Sequence, residues 1–152
     1  MFNIIIAVDK NYGIGLEGKL PWHISDELKL FKKLTMDCVL LVGRKTYETL
    51  PVLNGRIIKV LSCNNFDKIL NEVKDEYPSK KIFIIGGGII FKYVMTYFRD
   101  DIGLIYLSKI NKEYVCDTFI DRSLFEKGTE CVSTVEYKEF TQYILKIYKI
   151  KG

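Results

Sequence analysis

Histidine and tryptophan occur once each, and proline three times, in a chain of 152 residues. With His23 as the single imidazole, a Ser-His-Asp or Cys-His relay would have to use it. No nucleophile is indicated nearby, so His23 reads as a loop residue. The four cysteines, Cys38, Cys63, Cys116 and Cys131, have no C-x-x-C spacing and no clustered histidines, which argues against a metal site. A disulfide framework does not suit a chain with so much aliphatic sequence, and reduced thiols point to a cytoplasmic setting. No apolar run approaches the roughly 20 residues of a membrane span. The run FNIIIAV has no basic leader and no cleavage pattern, so no signal peptide is expected. Basic tracts are missing as well: the net charge is +4, and the lysines are scattered as on a solvated surface. Neither G-x-G-x-x-G nor G-x-x-x-x-G-K-[ST] occurs. Repeats, low-complexity segments and linkers are also lacking, so residues 1–152 read as one domain.

What is present is core-forming sequence: hydrophobic residues reach 48% and aromatics 13%, which excludes disorder. Asn3–Val8, Cys38–Gly43, Arg56–Leu61, Lys81–Ile85 and Ile102–Ile110 are short β-branched runs, the pattern of strands covered on both faces. Helices are expected from Ser25, over Arg44–Glu48, over residues 66–77, and after Gly86-Gly87-Gly88. Cys131–Tyr137 and Gln142–Ile150 read as two strands joined at a Lys138–Thr141 turn. The resulting class is α/β: a mostly parallel central sheet with an antiparallel C-terminal hairpin edge, flanked by about four helices. Between the first strand and the first helix runs DKNYGIGLEGKLPW, about fourteen residues, longer than most connections in compact domains.

Ligands of open α/β sheets bind beyond the carboxyl ends of the strands. Four segments fall there: the loop after Val8, Gly43-Arg44-Lys45-Thr46, Leu61-Ser62-Cys63-Asn64 and Gly86-Gly87-Gly88. Helix starts and small hydroxyl residues suit phosphate. The triple glycine serves either a tight turn or close approach of a ligand to the backbone.

One acid stands out in LPWHISDELKLF. On an α-helix with Ile24 at zero, Leu28 lies at roughly 40°, Phe31 at roughly 340°, Glu27 at roughly 300° and Leu34 at roughly 280°. Glu27 is therefore inside the apolar stripe. One reading is an acid at the positive end of the helix dipole. Asp26 beside it can fill that role from the outer face. In the other reading, Glu27 is a buried carboxylate that needs donors, and a ligand bearing an amino group and a ring N–H would supply them. Trp22, bordering the glycine-rich loop, is either a packed aromatic or a pocket wall.

The ordered series GIGLEGKLPW, DELKLFKKLT, VGRKTYETL, LNGR, IIGGGIIF, IYLSKI and CDTFI resembles the dihydrofolate reductase family nearly end to end. The resemblance implies NADPH-dependent hydride transfer to C6 of 7,8-dihydrofolate, with protonation at N5. It implies that Glu27 grips the pterin 2-amino group and N3, and that water for N5 enters near Leu20 and Trp22. It places Ile5, Leu28, Phe31, Leu50, Leu53 and Ile85 around the folate, Ser108 where a threonine bonds the acid, and Arg56 on the glutamate α-carboxylate. Ala7 and Ile14 match backbone contacts to nicotinamide, with Gly15 in the same loop. Arg44, Lys45, Thr46, Leu61, Ser62 and Cys63 match the cofactor-phosphate region, and Gly86 to Phe91, through Ile89 and Ile90, the pyrophosphate region. Asn11–Trp22 match a mobile closing loop. Cys63 and Ile89 depart from the pattern where many relatives carry another arginine near the 2′-phosphate, leaving Arg44 and Lys45 to select NADPH.

The resemblance further implies a small-molecule substrate, susceptibility to antifolates, no metal, no membrane or nucleic-acid partner, and a monomer. Three other readings compete. One is a same-fold reductase of a riboflavin-pathway pyrimidine intermediate, against which Glu27 and Arg56 weigh. Another is a non-catalytic nucleotide-binding module, which would need neither residue. The last is a weak nucleic-acid binder, which the scattered lysines disfavour.

Overall fold

A computed structural model of the protein describes residues 1–137 and 143–151. Five α-helices occur among the described residues: α1 (Ser25–Thr35), α2 (Arg44–Thr49), α3 (Phe66–Glu76), α4 (Gly88–Tyr97) and α5 (Arg122–Glu126). The strands are β1 (Phe2–Val8), β2 (Gly13–Gly15), β3 (Val39–Gly43), β4 (Ile57–Leu61), β5 (Ile82–Gly86), β6 (Ile102–Ile110), β7 (Thr118–Phe119), β8 (Thr129–Tyr137) and β9 (Tyr143–Ile150). The expected α/β class with a mostly parallel sheet holds. The helix number is corrected from about four to five. The extra helix, α5, is too short for hydrophobic periodicity to show. It begins where the Asp121 carboxylate accepts the Ser123 backbone N–H, and it is pinned by fully buried Phe125. The expected turn at Lys138–Thr141, and Gln142, lie outside the described residues.

Seven strands form one sheet in the order β4-β3-β5-β1-β6-β9-β8. β1, β3, β4, β5 and β6 run parallel, and β9 pairs antiparallel with both β6 and β8. Side chains alternate across the sheet, so each strand feeds two cores. Ile4, Ile6, Val39, Leu41, Ile82, Ile84, Ile105 and Leu107 share one core with Phe66 and Leu70 of α3 and Val94 and Met95 of α4. Ile5, Leu40 and Phe83 face the other way, against Phe31 and Leu34 of α1. Burial of that kind is worth roughly 1.5–3 kcal/mol per large aliphatic side chain, so two-sided strands carry most of the fold's driving force. The α1 side matters for function, because there the apolar layer is interrupted by an acid.

Candidate active site

The chain crosses from β1 to β3 on one side, then returns through β5 to β6, leaving β1 between β5 and β6. Such a reversal opens a crevice at the carboxyl ends of the strands. Register sets the rim: Gly43 pairs with Leu61, Val42 with Gly86, and Ala7 with Ser108.

Glu27 lies in the first turn of α1 and is only 7% exposed. Among the described residues its carboxylate takes part in no hydrogen bond and no salt bridge. Burial alone pushes its carboxyl up to about 7 from the usual carboxylate range. Asp26 beside it is half-exposed. The anion is thus set into the fold without an internal cation.

Four residues expected around the folate come together in the cluster on this face of the sheet: Ile5, Phe31, Leu53 and Ile85. Leu28 and Leu50 are half-buried and belong to neither this cluster nor its neighbours. Trp22 and Ala7 share an adjacent cluster, where the indole packs on Tyr114 with ring centroids 5.3 Å apart. The indole Nε1 is buried and donates to no acceptor among the described residues. Ser108 is buried, yet among the described residues no hydrogen bond joins it to Glu27, so the expected direct bond is not formed. Leu20 stands 47% exposed at the loop end. At the far end of α1, Arg56 Nη1 donates to Thr35 Oγ1 at a long 3.4 Å. Its Nε is buried and finds no acceptor among the described residues.

On the other side of the crevice, α2 and α4 both begin at the sheet's carboxyl edge. No side chain caps α4 and its first turn holds no acid, so its leading N–H groups are unclaimed by side chains. Gly87 is a tight place: a Cβ there would stand 2.7 Å from Thr46 Oγ1. A Cβ on Gly43 would stand 3.0 Å from Ile90 Cγ1, and one on Gly88 2.9 Å from Thr118 Cγ2. Arg44, Lys45 and Ser62 are exposed around this cradle, and Thr46 is half-buried. Leu61, Ile90 and Phe91, expected at the cofactor, turn their side chains into the core on the α4 side. The reason is periodicity: Ile90, Phe91, Val94 and Met95 form the sheet-facing stripe of α4, so only backbone is left for a ligand.

The loop after β1 is more structured than its length suggests. Buried Asp9 accepts the backbone N–H groups of Asn11 (2.8 Å) and Gly13 (2.8 Å) through Oδ1, and that of Tyr114 (3.0 Å) through Oδ2. β2 pairs with β7, so Ile14 and Gly15 are held against Thr118. Asp117 Oδ2 accepts the Glu17 N–H at 2.9 Å, and Thr49 Oγ1 donates to the Gly18 carbonyl at 2.6 Å. Asp9, Thr49 and Asp117 were not anticipated. Only Asp9, an Asx residue ahead of Asn11 and Gly13, carries a local turn signal. The other two have partners far away in the chain.

Residues 1–149 match the dihydrofolate reductase family. The chain belongs to that family. It is 35% identical over 151 residues to dihydrofolate reductase type 9 of Escherichia coli, covering 88% of this chain and 82% of that protein. To dihydrofolate reductase of Staphylococcus aureus it is 33% identical over 143 residues, covering 90% and 87%. A solved dihydrofolate reductase from Enterococcus faecalis, complexed with NADP(H) and RAB-propyl, superposes with a TM-score of 0.82 at 28% identity. That match covers all of this chain and 97% of the other. Bifunctional dihydrofolate reductase–thymidylate synthases match too, and the chain spans between 26% and 33% of those from plants. Like its relatives, this dihydrofolate reductase is an NADPH-dependent oxidoreductase acting on dihydrofolate. Membership decides between the enzymatic readings left open by sequence: folate reduction stands over the riboflavin-pathway and binding-only readings. Among the described residues, no helix is long and apolar enough to cross a membrane.

Proposed function

We propose that Glu27 is the acid that holds the pterin, and that the residues around it divide the work of one hydride and one proton transfer. The observation that carries this is an unpartnered, buried carboxylate at the edge of an apolar cluster. A 2-amino group and a ring N3–H present two donors in a fork, which suits a carboxylate that has received none from the protein. Its proton affinity near neutrality keeps both charge states accessible during turnover.

The cradle fits a dinucleotide. Gly43, Gly87 and Gly88 are positions where a side chain would collide with its surroundings, and α4 offers uncapped N–H groups to an anion. Arg44, Lys45, Thr46 and Ser62 would hold its phosphates, with Cys63 and Ile89 beside them. Ala7, Ile14 and Gly15 would hold the nicotinamide end. NADPH, when bound there, supplies the hydride for C6. The chain's own task is placement: Ile5, Leu28, Phe31, Leu50, Leu53 and Ile85 clamp the flat heterocycle and its tail, and the clasped loop from Asn11 to Trp22 excludes water. Trp22, with its free indole N–H, and Leu20, at the mouth, would admit the single water that delivers a proton to N5. Ser108, behind the sheet edge, would reach Glu27 through water. Arg56 would take the glutamate α-carboxylate with its guanidinium.

Heterocyclic antifolates with the same amino fork would compete for Glu27. A monomer in a cytoplasmic setting goes with this reading, supported by four free thiols. Replacing Glu27 with Gln tests the core of it. NADPH oxidation with dihydrofolate is expected to fall by at least about a hundredfold at neutral pH, with binding of NADPH retained. An undiminished rate refutes the assignment.

A further inference from the structure

Beyond the glycine cradle, a groove of about 360 Å³ continues along α4, lined by Cys63, Ile89, Lys92, Tyr93, Thr96 and Tyr97. The α4 members recur at the i, i+3, i+4, i+7, i+8 spacing of one helical face, opposite the stripe that packs on the sheet. Tyr93 forms a rigid wall: its ring lies 6.0 Å from that of Phe66, 5.7 Å from Phe98 and 5.2 Å from Tyr97. Of the six lining side chains, Lys92 alone is charged. It is exposed and makes no salt bridge among the described residues. The carboxylate that feels its field, Asp121, is already engaged by the Ser123 N–H and hydroxyl. An apolar, aromatic-walled groove with a single cation suits a purine nucleoside carrying one extra phosphate.

We infer that Lys92 supplies the groove charge by which this enzyme distinguishes NADPH from NADH. The inference rests on the proposed course of the cofactor over Gly86, Gly87 and Gly88, which continues into this groove at Ile89. Cys63 and Ile89 border the groove and carry no charge, so inside the groove Lys92, one helical turn beyond Ile89, adds its charge to that of Arg44 and Lys45 at the cradle. Lys92 acts on affinity, far from the reacting atoms, and so belongs in KM and not in kcat.

The test compares Lys92→Met with the parent enzyme using each cofactor over a range of ionic strength. KM for NADPH is expected to rise about five- to tenfold, with that for NADH changing less than about twofold and kcat with NADPH unaltered. Added salt is expected to shrink the parent's preference for NADPH and to affect the variant's less. A parallel change with both cofactors, or no change with either, overturns the role of Lys92. Ile89→Trp, at a position 74% exposed, fills the groove without disturbing the core. It is expected to raise KM for both cofactors. If it leaves both untouched, the cofactor does not lie in the groove, and the underlying course falls along with the inference. If it weakens both while Lys92→Met is silent, only the role of Lys92 falls.

Discussion

Thr49 Oγ1 donates to the Gly18 carbonyl at 2.6 Å, tying the last residue of α2 to the middle of the glycine-rich loop. Gly18 has φ +79, a left-handed turn that directs its carbonyl outward from the loop at no steric cost. One helix thereby serves two purposes, since its start borders the glycine cradle and its end fastens the loop proposed to cover the nicotinamide.

Thr49→Val keeps the shape and deletes the donor. A single hydrogen bond of this kind is worth about 0.5–1.5 kcal/mol, so cofactor release is expected to quicken by about three- to tenfold. Stopped-flow fluorescence of Trp22, the single indole, reads the release rate directly. Equal release rates in parent and variant would show that the clasp does not hold the loop.

Glu27 links activity to stability through its raised proton affinity. Its carboxyl sits at about 7 when folded and near 4.5 when unfolded, so the folded chain binds the proton more tightly between those values. Stability must therefore fall as pH climbs through that window and level off above it. Glu27→Gln does not titrate and escapes the loss. Urea unfolding is expected to show the variant more stable by roughly 3 kcal/mol near pH 8 and by under about 1 kcal/mol near pH 5. A gap that does not grow with pH means the burial cost has been relieved by another route. The same acid gives kcat/KM for dihydrofolate a limb near neutral pH, absent from the variant's residual activity.

Arg56 is expected to read the tail of the substrate and not its ring. Arg56→Lys keeps the charge but loses the planar fork, and KM for dihydrofolate should rise about tenfold to a hundredfold. A pterin lacking the glutamate should be reduced equally well by parent and variant. Equal losses on both substrates would place Arg56 elsewhere in the mechanism.

Gly87 and Thr46 leave no room between them. Gly87→Ala puts a methyl 2.7 Å from Thr46 Oγ1, and overpacking of that order costs about 1–3 kcal/mol. Pairing it with Thr46→Ala removes the obstacle, so the melting temperature should recover in the double variant. NADPH affinity should stay low, because the hydroxyl proposed for its phosphate is then gone. Recovery of both would make the pair a packing contact only.

Much of the architecture was legible in the chain because it depends on local patterning. Runs such as IIIAV and VLLV carry the β-branched pattern of strands buried on both faces, and the angular position of Glu27 in its helix needs nothing but the α-helical repeat. The glycines at 86–88 marked a tight turn or a close backbone approach without deciding between them. Other features had no such signature. Helix α5 has five residues, below the length at which periodicity is visible, and is held by Phe125 and by Glu126, which bonds both Tyr12 and Arg122. Ile90 and Phe91 sat inside a motif matched to the cofactor, and the packed sheet showed that the α4 stripe they share with Val94 and Met95 turns their side chains to the core.

Sequence by itself determined the longer elements, the class and the inward acid, since these follow from the order of apolar and polar residues along one strand or helix. The tertiary structure alone decided that no donor among the described residues reaches that acid, that Asp9, Asp117 and Thr49 tie down the loop, and that Lys92 stands as the one charge in an aromatic groove. Partners dozens of residues apart meet only through the strand order, and no local preference encodes which of them will touch.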